Sequence, residues 1–157
     1  MMSLSSFLDA RAVSTDLKSQ TKADVIRELT ELLVKSGAIK ERDVSKLIPV
    51  LLKRESLGST GIGEGVAIPH GKSDCVDRLH AAFGVSHQGI SFDSLDGEPA
   101  HLFFLLVAPE DSAGPHLKAL ARISRLLKDK HFRDSLRVAK DEPALLKLIE
   151  AEDDRRH

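Results

Sequence analysis

Between Ser59 and Ser73 the chain reads STGIGEGVAIPHGKS, and His70 is the one side chain in that stretch whose ordinary pKa lies near neutrality. Its setting is specific. Pro69 fixes its own φ and biases Ile68 toward extended backbone, so the chain delivers His70 at a strand end, beside Gly71, where another molecule can approach the backbone. A histidine that only fills space rarely needs such a frame. A phosphate cradle fits the stretch poorly: the pattern G-x-x-x-x-G-K-[ST] finds Gly71-Lys72-Ser73 but needs a glycine where Val66 stands, and Pro69 has no N–H to offer. The dinucleotide pattern G-x-G-x-x-G fails at the same valine. A metal site is not expected, because His80, His87, His101 and His131 stand at no ligand spacing and read as surface or satisfied structural groups. Turns leading into an edge strand are the plain reading of Gly58, Gly61, Gly63 and Gly65.

The elements that must position His70 follow from periodicity. Thr21 and Asp24 form a capping box for a helix carrying Val25, Leu29, Leu32 and Leu33, which Gly37 stops. A second helix runs from Asp43 to about Arg54, kinked or delayed by Pro49. Val66 to Ile68, Ala81 to Ser86 and Ile90 to Phe92 read as strands, the last two joined by a turn at His87-Gln88-Gly89. His101 to Val107 is the strongest strand, apolar without alternation as in a strand covered on both faces. Pro115 suits the first position of a further helix, and two short helices near His131 to Ala139 and Glu142 to Ala151 close the chain. The charged tail from Glu152 to His157 is expected to fray. This order implies a single α/β domain, core about residues 4–150, built on a mixed sheet.

At 41% hydrophobic and 30% charged residues, the 157-residue chain has the composition of one soluble globular domain. Its 23 basic and 24 acidic side chains are interspersed, which argues against a nucleic-acid or membrane surface. Cys75 is the only cysteine, so no internal disulfide forms, and no secretion signal opens the chain; a cytoplasmic protein is expected. The longest apolar run, Leu102 to Ala108, is far short of the roughly 20 residues a bilayer requires, so no membrane insertion is expected.

From Glu55, through Ile62-Gly63, to Val66-Ala67-Ile68-Pro69-His70-Gly71, the sequence resembles the active-site signature of the fructose and mannitol type IIA proteins of the bacterial phosphotransferase system. RESLGSTGIG is similar to the nitrogen-regulatory branch, and the likeness extends from about Leu4 to Glu150. The resemblance implies an α/β fold with helices on both faces of a mixed sheet, and no cofactor. It implies that His70 accepts a phosphoryl group on Nε2 from a histidine phosphocarrier of the HPr or NPr kind, with Nδ1 protonated and bonded to a backbone carbonyl. By position it gives Arg54 and His116 as phosphate-pocket partners, with Ser59 and Thr60 contributing hydroxyls. Leu57, Ile62 and Leu95 are expected to rim a shallow docking face. The DSAGPH stretch before His116 departs from the family's regulatory members and could turn that side chain.

A standalone regulatory IIA protein, whose partner contacts change with phosphorylation, is the leading expectation. The absence of an attached IIB sequence favours it over a sugar-specific IIA that passes phosphate to a IIB domain. A module that binds a phosphorylated metabolite is the third reading.

Overall fold

The computed structural model describes residues 3–156. Leu102 to Val107 lie in its central strand, β6 (Ala100–Ala108). Alternate residues of that run face opposite layers, as the two-residue repeat of a strand requires. Leu102, Phe104 and Leu106 join the core formed with the C-terminal helices α3 (Ala113–Leu126), α4 (Lys130–Arg137) and α5 (Glu142–Arg155). Phe103, Leu105 and Val107 join the core formed with α1 (Lys22–Lys35) and α2 (Val44–Ser56). The absence of hydropathy alternation thus reports burial on both sides.

The other strands are β1 (Leu8–Ser14), β2 (Gly61–Gly63), β3 (Val66–Ala67), β4 (His70–Lys72) and β5 (His80–Ile90). The sheet order is β1-β5-β6-β3-β2, with β4 also pairing β6. β5 is antiparallel to β6, whereas β3 and β4 run parallel to it, so the sheet is mixed and helices cover both faces.

Some local expectations hold and others change. Thr21 caps α1 by accepting the Asp24 N–H at 3.2 Å, and Gly37 ends it at φ +83°. α2 continues through Pro49; that residue is exposed, so water can serve the carbonyl that proline leaves unpaired. His87-Gln88-Gly89 is not a turn between two strands. It is an irregularity inside β5, with Gly89 at φ +84°.

The C-terminal tail does not fray over residues 152–155, which form the last turn of α5. Asp153 is 2% exposed; it accepts the Leu4 N–H at 2.8 Å and pairs with Arg122 at 2.5 Å. Replacing it with alanine should cost about 3 kcal/mol, because a buried charge pair and a long-range backbone bond are lost together. The check is urea unfolding: a lower midpoint at unchanged m is expected, and an unmoved midpoint would mean that the tail contributes nothing.

Candidate functional site

β4 and β6 run in parallel and finish at the same end of the sheet, with His70 opposite Leu106 and Gly71 opposite Val107. Register partners share a face, so His70 points with Leu106 toward the α3 layer and Gly71 toward the α2 layer. A Cβ on Gly71 would lie 3.2 Å from both Leu51 and Val50 of α2. This glycine therefore lets α2 pack on the strand; it serves the fold rather than an approaching molecule, contrary to the expectation from sequence. The earlier glycines make a hairpin. β2 and β3 are joined through Glu64 and Gly65, both at positive φ, and no phosphate cradle results.

Beyond β6 the chain turns into α3, which begins at Ala113. Pro115 is the third helical residue rather than the first, and His116 is the fourth. The free N–H groups opening this helix are therefore those of Ala113 and Gly114. The DSAGPH stretch does not turn His116 away: its ring centroid lies 5.4 Å from that of His70, at an interplanar angle of 58°.

The His70 ring is half-buried, and its Nδ1 lies 2.8 Å from the Ile68 carbonyl oxygen. A carbonyl can only accept, so Nδ1 carries the proton and Nε2 keeps its lone pair. Pro69 holds Ile68 and His70 in the geometry this bond needs. Burial lowers the His70 pKa and the Arg54 charge adds to that shift, while the Ile68 bond and the Glu55 charge oppose it; the balance favours the neutral imidazole.

His116 is 5% exposed, and its Nδ1 is buried with no hydrogen-bond partner among the described residues. Burial first, then the charges of His70 and Lys72, push its pKa down to about 4. At pH 7 it is a neutral ring, not the resident cation that a phosphate-pocket histidine suggests. With no acceptor beside Nδ1, the proton belongs on Nε2, which makes the ring a neutral donor. Because the folded pKa lies below the unfolded value of about 6.5, this group contributes stability that is present above pH 6.5 and lost as pH falls toward 4. The expected size is about 3 kcal/mol. The unfolding free energy of the wild type should therefore fall relative to that of His116→Phe by that amount between pH 7 and pH 4; a constant difference would contradict the assignment.

Arg54 lies in the last turn of α2, where Nη1 donates to the Gly58 carbonyl at 2.6 Å; its other N–H groups have no partner among the described residues. One edge of the guanidinium is anchored and the rest is available to an anion. Ser59 and Thr60 are placed otherwise than expected. The Ser59 hydroxyl donates to the Phe92 carbonyl, and Thr60, 4% exposed, donates its hydroxyl to Glu55. Both protons are spent inside the protein and neither is on offer to a phosphate. Leu57, Ile62 and Leu95 are all exposed, and Leu95 N–H bonds the Gly61 carbonyl at 3.3 Å, which ties that residue to β2. Leu117, beside His116, adds an exposed apolar side chain that the sequence reading missed. His87 and His101 bond backbone carbonyls at 2.8 Å, as structural histidines do.

The family model described as the phosphoenolpyruvate-dependent sugar phosphotransferase system, EIIA 2, matches residues 6–152. The chain is 37% identical to a nitrogen regulatory protein of Bradyrhizobium diazoefficiens over 94% of its own length and 95% of that protein's. It is 40% identical to a fructose-specific EIIABC component of Bacillus subtilis, over 97% of its own length but only 24% of that protein's. Among solved structures, the nitrogen regulatory protein IIA-Ntr of Neisseria meningitidis superposes with a TM-score of 0.82 at 31% identity, covering 92% of this chain and 97% of that one.

Proposed function

The chain belongs to the EIIA type 2 family of the phosphoenolpyruvate-dependent sugar phosphotransferase system, and from that premise we propose that His70 accepts a phosphoryl group on Nε2 from a phosphorylated histidine carrier of the HPr type. The observation that carries this reading is the bond from Nδ1 to the Ile68 carbonyl, which leaves the second ring nitrogen as the nucleophile. As Nε2 attacks, the P–Nε2 bond forms and the P–N bond to the donor imidazole breaks, the electron pair leaving with the donor. The proton stays on Nδ1 throughout, donated to the Ile68 carbonyl.

Phosphoryl transfer needs alignment and charge stabilisation more than covalent help. Arg54 supplies the charge through the N–H groups its Gly58 anchor leaves unused. His116 supplies a neutral Nε2–H to an equatorial oxygen. The exposed Leu57, Ile62, Leu95 and Leu117 give a donor protein an apolar rim to rest on while the two imidazoles come into line.

The product places a doubly negative phosphoryl group beside that rim, offset by one positive charge on the protonated ring, and this change is enough to alter which proteins dock there. Regulation through such contacts is the finer reading we favour, supported by the likeness to nitrogen regulatory proteins along nearly their whole length. The competing reading is a sugar-specific IIA that hands the group to a IIB domain, and the 40% identity to a fructose-specific component favours it. Incubating the phosphorylated protein with IIB domains separates the two: rapid loss of the label to a sugar-linked IIB would defeat the regulatory reading. The acceptor role itself is tested by intact-mass measurement after incubation with phosphoenolpyruvate, enzyme I and HPr. One acid-labile phosphoryl group is expected, and an unchanged mass would overturn the proposal.

A further inference from the structure

The carbonyl that orients His70 is itself held in place. Ile68 N–H donates to the Thr60 carbonyl at 3.0 Å. Thr60 in turn is gripped by Glu55, to which it gives both its N–H, at 3.2 and 3.3 Å from the two carboxylate oxygens, and its hydroxyl. Glu55 is 7% exposed and stands in the last turn of α2, where the helix dipole disfavours an anion. A carboxylate buried there needs a cation. Lys22, the first residue of α1, supplies it, with Nζ 3.1 Å from Glu55 Oε2. The same ammonium lies 4.7 Å from the centroid of the Phe92 ring and 3.2 Å from Asp93, so it also secures the segment after β5 whose Phe92 carbonyl accepts the Ser59 hydroxyl.

We propose that Lys22 is a positioning residue for His70: by pairing with Glu55 it anchors Thr60, and through the Thr60–Ile68 and Ile68–His70 hydrogen bonds it fixes the imidazole with its proton on Nδ1. The function of this relay rests on the reading of His70 as phosphoryl acceptor; the relay itself is a matter of geometry. No segment of the chain near His70 identifies Lys22, which is 48 residues away in sequence.

A pair that merely stabilised the fold would change the unfolding free energy and leave the ring as it is. Three readouts tell the cases apart: the His70 tautomer and the His70 pKa, both from imidazole ¹⁵N NMR, and the rate of phosphoryl transfer from phosphorylated HPr. The charged or titratable groups facing His70 are Arg54 and Glu55 from α2 and His116 from α3, with Lys72 of its own strand acting on His116. Removing the ammonium leaves the Glu55 charge less compensated, which favours protonated His70. In Lys22→Met the pKa should therefore rise, the Nδ1–H tautomer should lose population, and transfer should slow about tenfold or more through misalignment. Lys22→Arg should restore all three. Thr60→Val, which keeps the ion pair and the backbone bonds but removes the hydroxyl's grip on Glu55, should shift the tautomer in the same direction and serves if Lys22→Met does not fold.

Wild-type tautomer, pKa and rate in folded Lys22→Met, or in Thr60→Val where the lysine variant fails to fold, would overturn the inference while leaving His70 as acceptor. If the wild type accepts nothing at His70, the acceptor reading falls, and the tautomer and pKa still decide whether Lys22 positions the ring.

Discussion

His70→Ala is expected to abolish phosphoryl acceptance while leaving the fold intact. The loss should exceed about a thousandfold, because the substitution removes the attacking nitrogen itself and no neighbouring group can replace it. His116 is the nearest imidazole, but its proton is placed on Nε2 and its Nδ1 is sealed from approach. The fold should survive because His70 is only half-buried on the short strand β4 and forfeits one hydrogen bond, worth about 1 kcal/mol. Steady-state labelling from phosphorylated HPr, alongside an unfolding curve, checks both halves. Labelling of His70→Ala at a rate within tenfold of wild type would place the acceptor elsewhere.

The second large effect concerns Arg54. Arg54→Lys should slow transfer by roughly 30-fold, about 2 kcal/mol of transition-state stabilisation, because lysine keeps the charge but loses the fork. It also loses the Gly58 anchor that fixes the guanidinium's orientation. Arg54→Met should be slower still, with a separate signature. The Arg54 charge is one cause of the lowered His70 pKa, so the methionine variant should show a raised His70 pKa and a rate that begins to fall at higher pH as the solution is acidified. The lysine variant should keep its rate profile near that of the wild type. Equal rates for arginine and lysine would mean that position 54 acts as a bare charge.

The sequence made the centre of the fold legible and left its edges obscure, for physical reasons. β6 is apolar at every central position because two helical layers cover it, and that pattern survives in the sequence. β1 is different. It is an edge strand whose residues Asp9 to Arg11 are exposed, so its period is broken; β2 and β4 span three residues each and carry no period at all. Their pairing with longer strands makes them strands. The order of the tail is hidden from the sequence because its charges are internal: Glu152 and Asp153 are buried against arginines that a linear pattern treats as solvated. Within the site, Pro69 betrays the presentation of His70, since its constraint is local. The commitment of Ser59 and Thr60 depends on partners that only the fold brings near, and the same holds for Lys22, 33 residues from Glu55. The neutrality of His116 was likewise hidden, because it comes from burial rather than from adjacent residues.

These findings share one claim: the main chain fixes which nitrogen of His70 reacts. The most direct measurement is ¹⁵N–³¹P NMR of the wild-type protein labelled through phosphoenolpyruvate, enzyme I and HPr, which reports the atom bonded to phosphorus. Phosphorus is expected on Nε2 of His70, with Nδ1 still protonated against Ile68. Phosphorus on Nδ1, or on any residue other than His70, would contradict it.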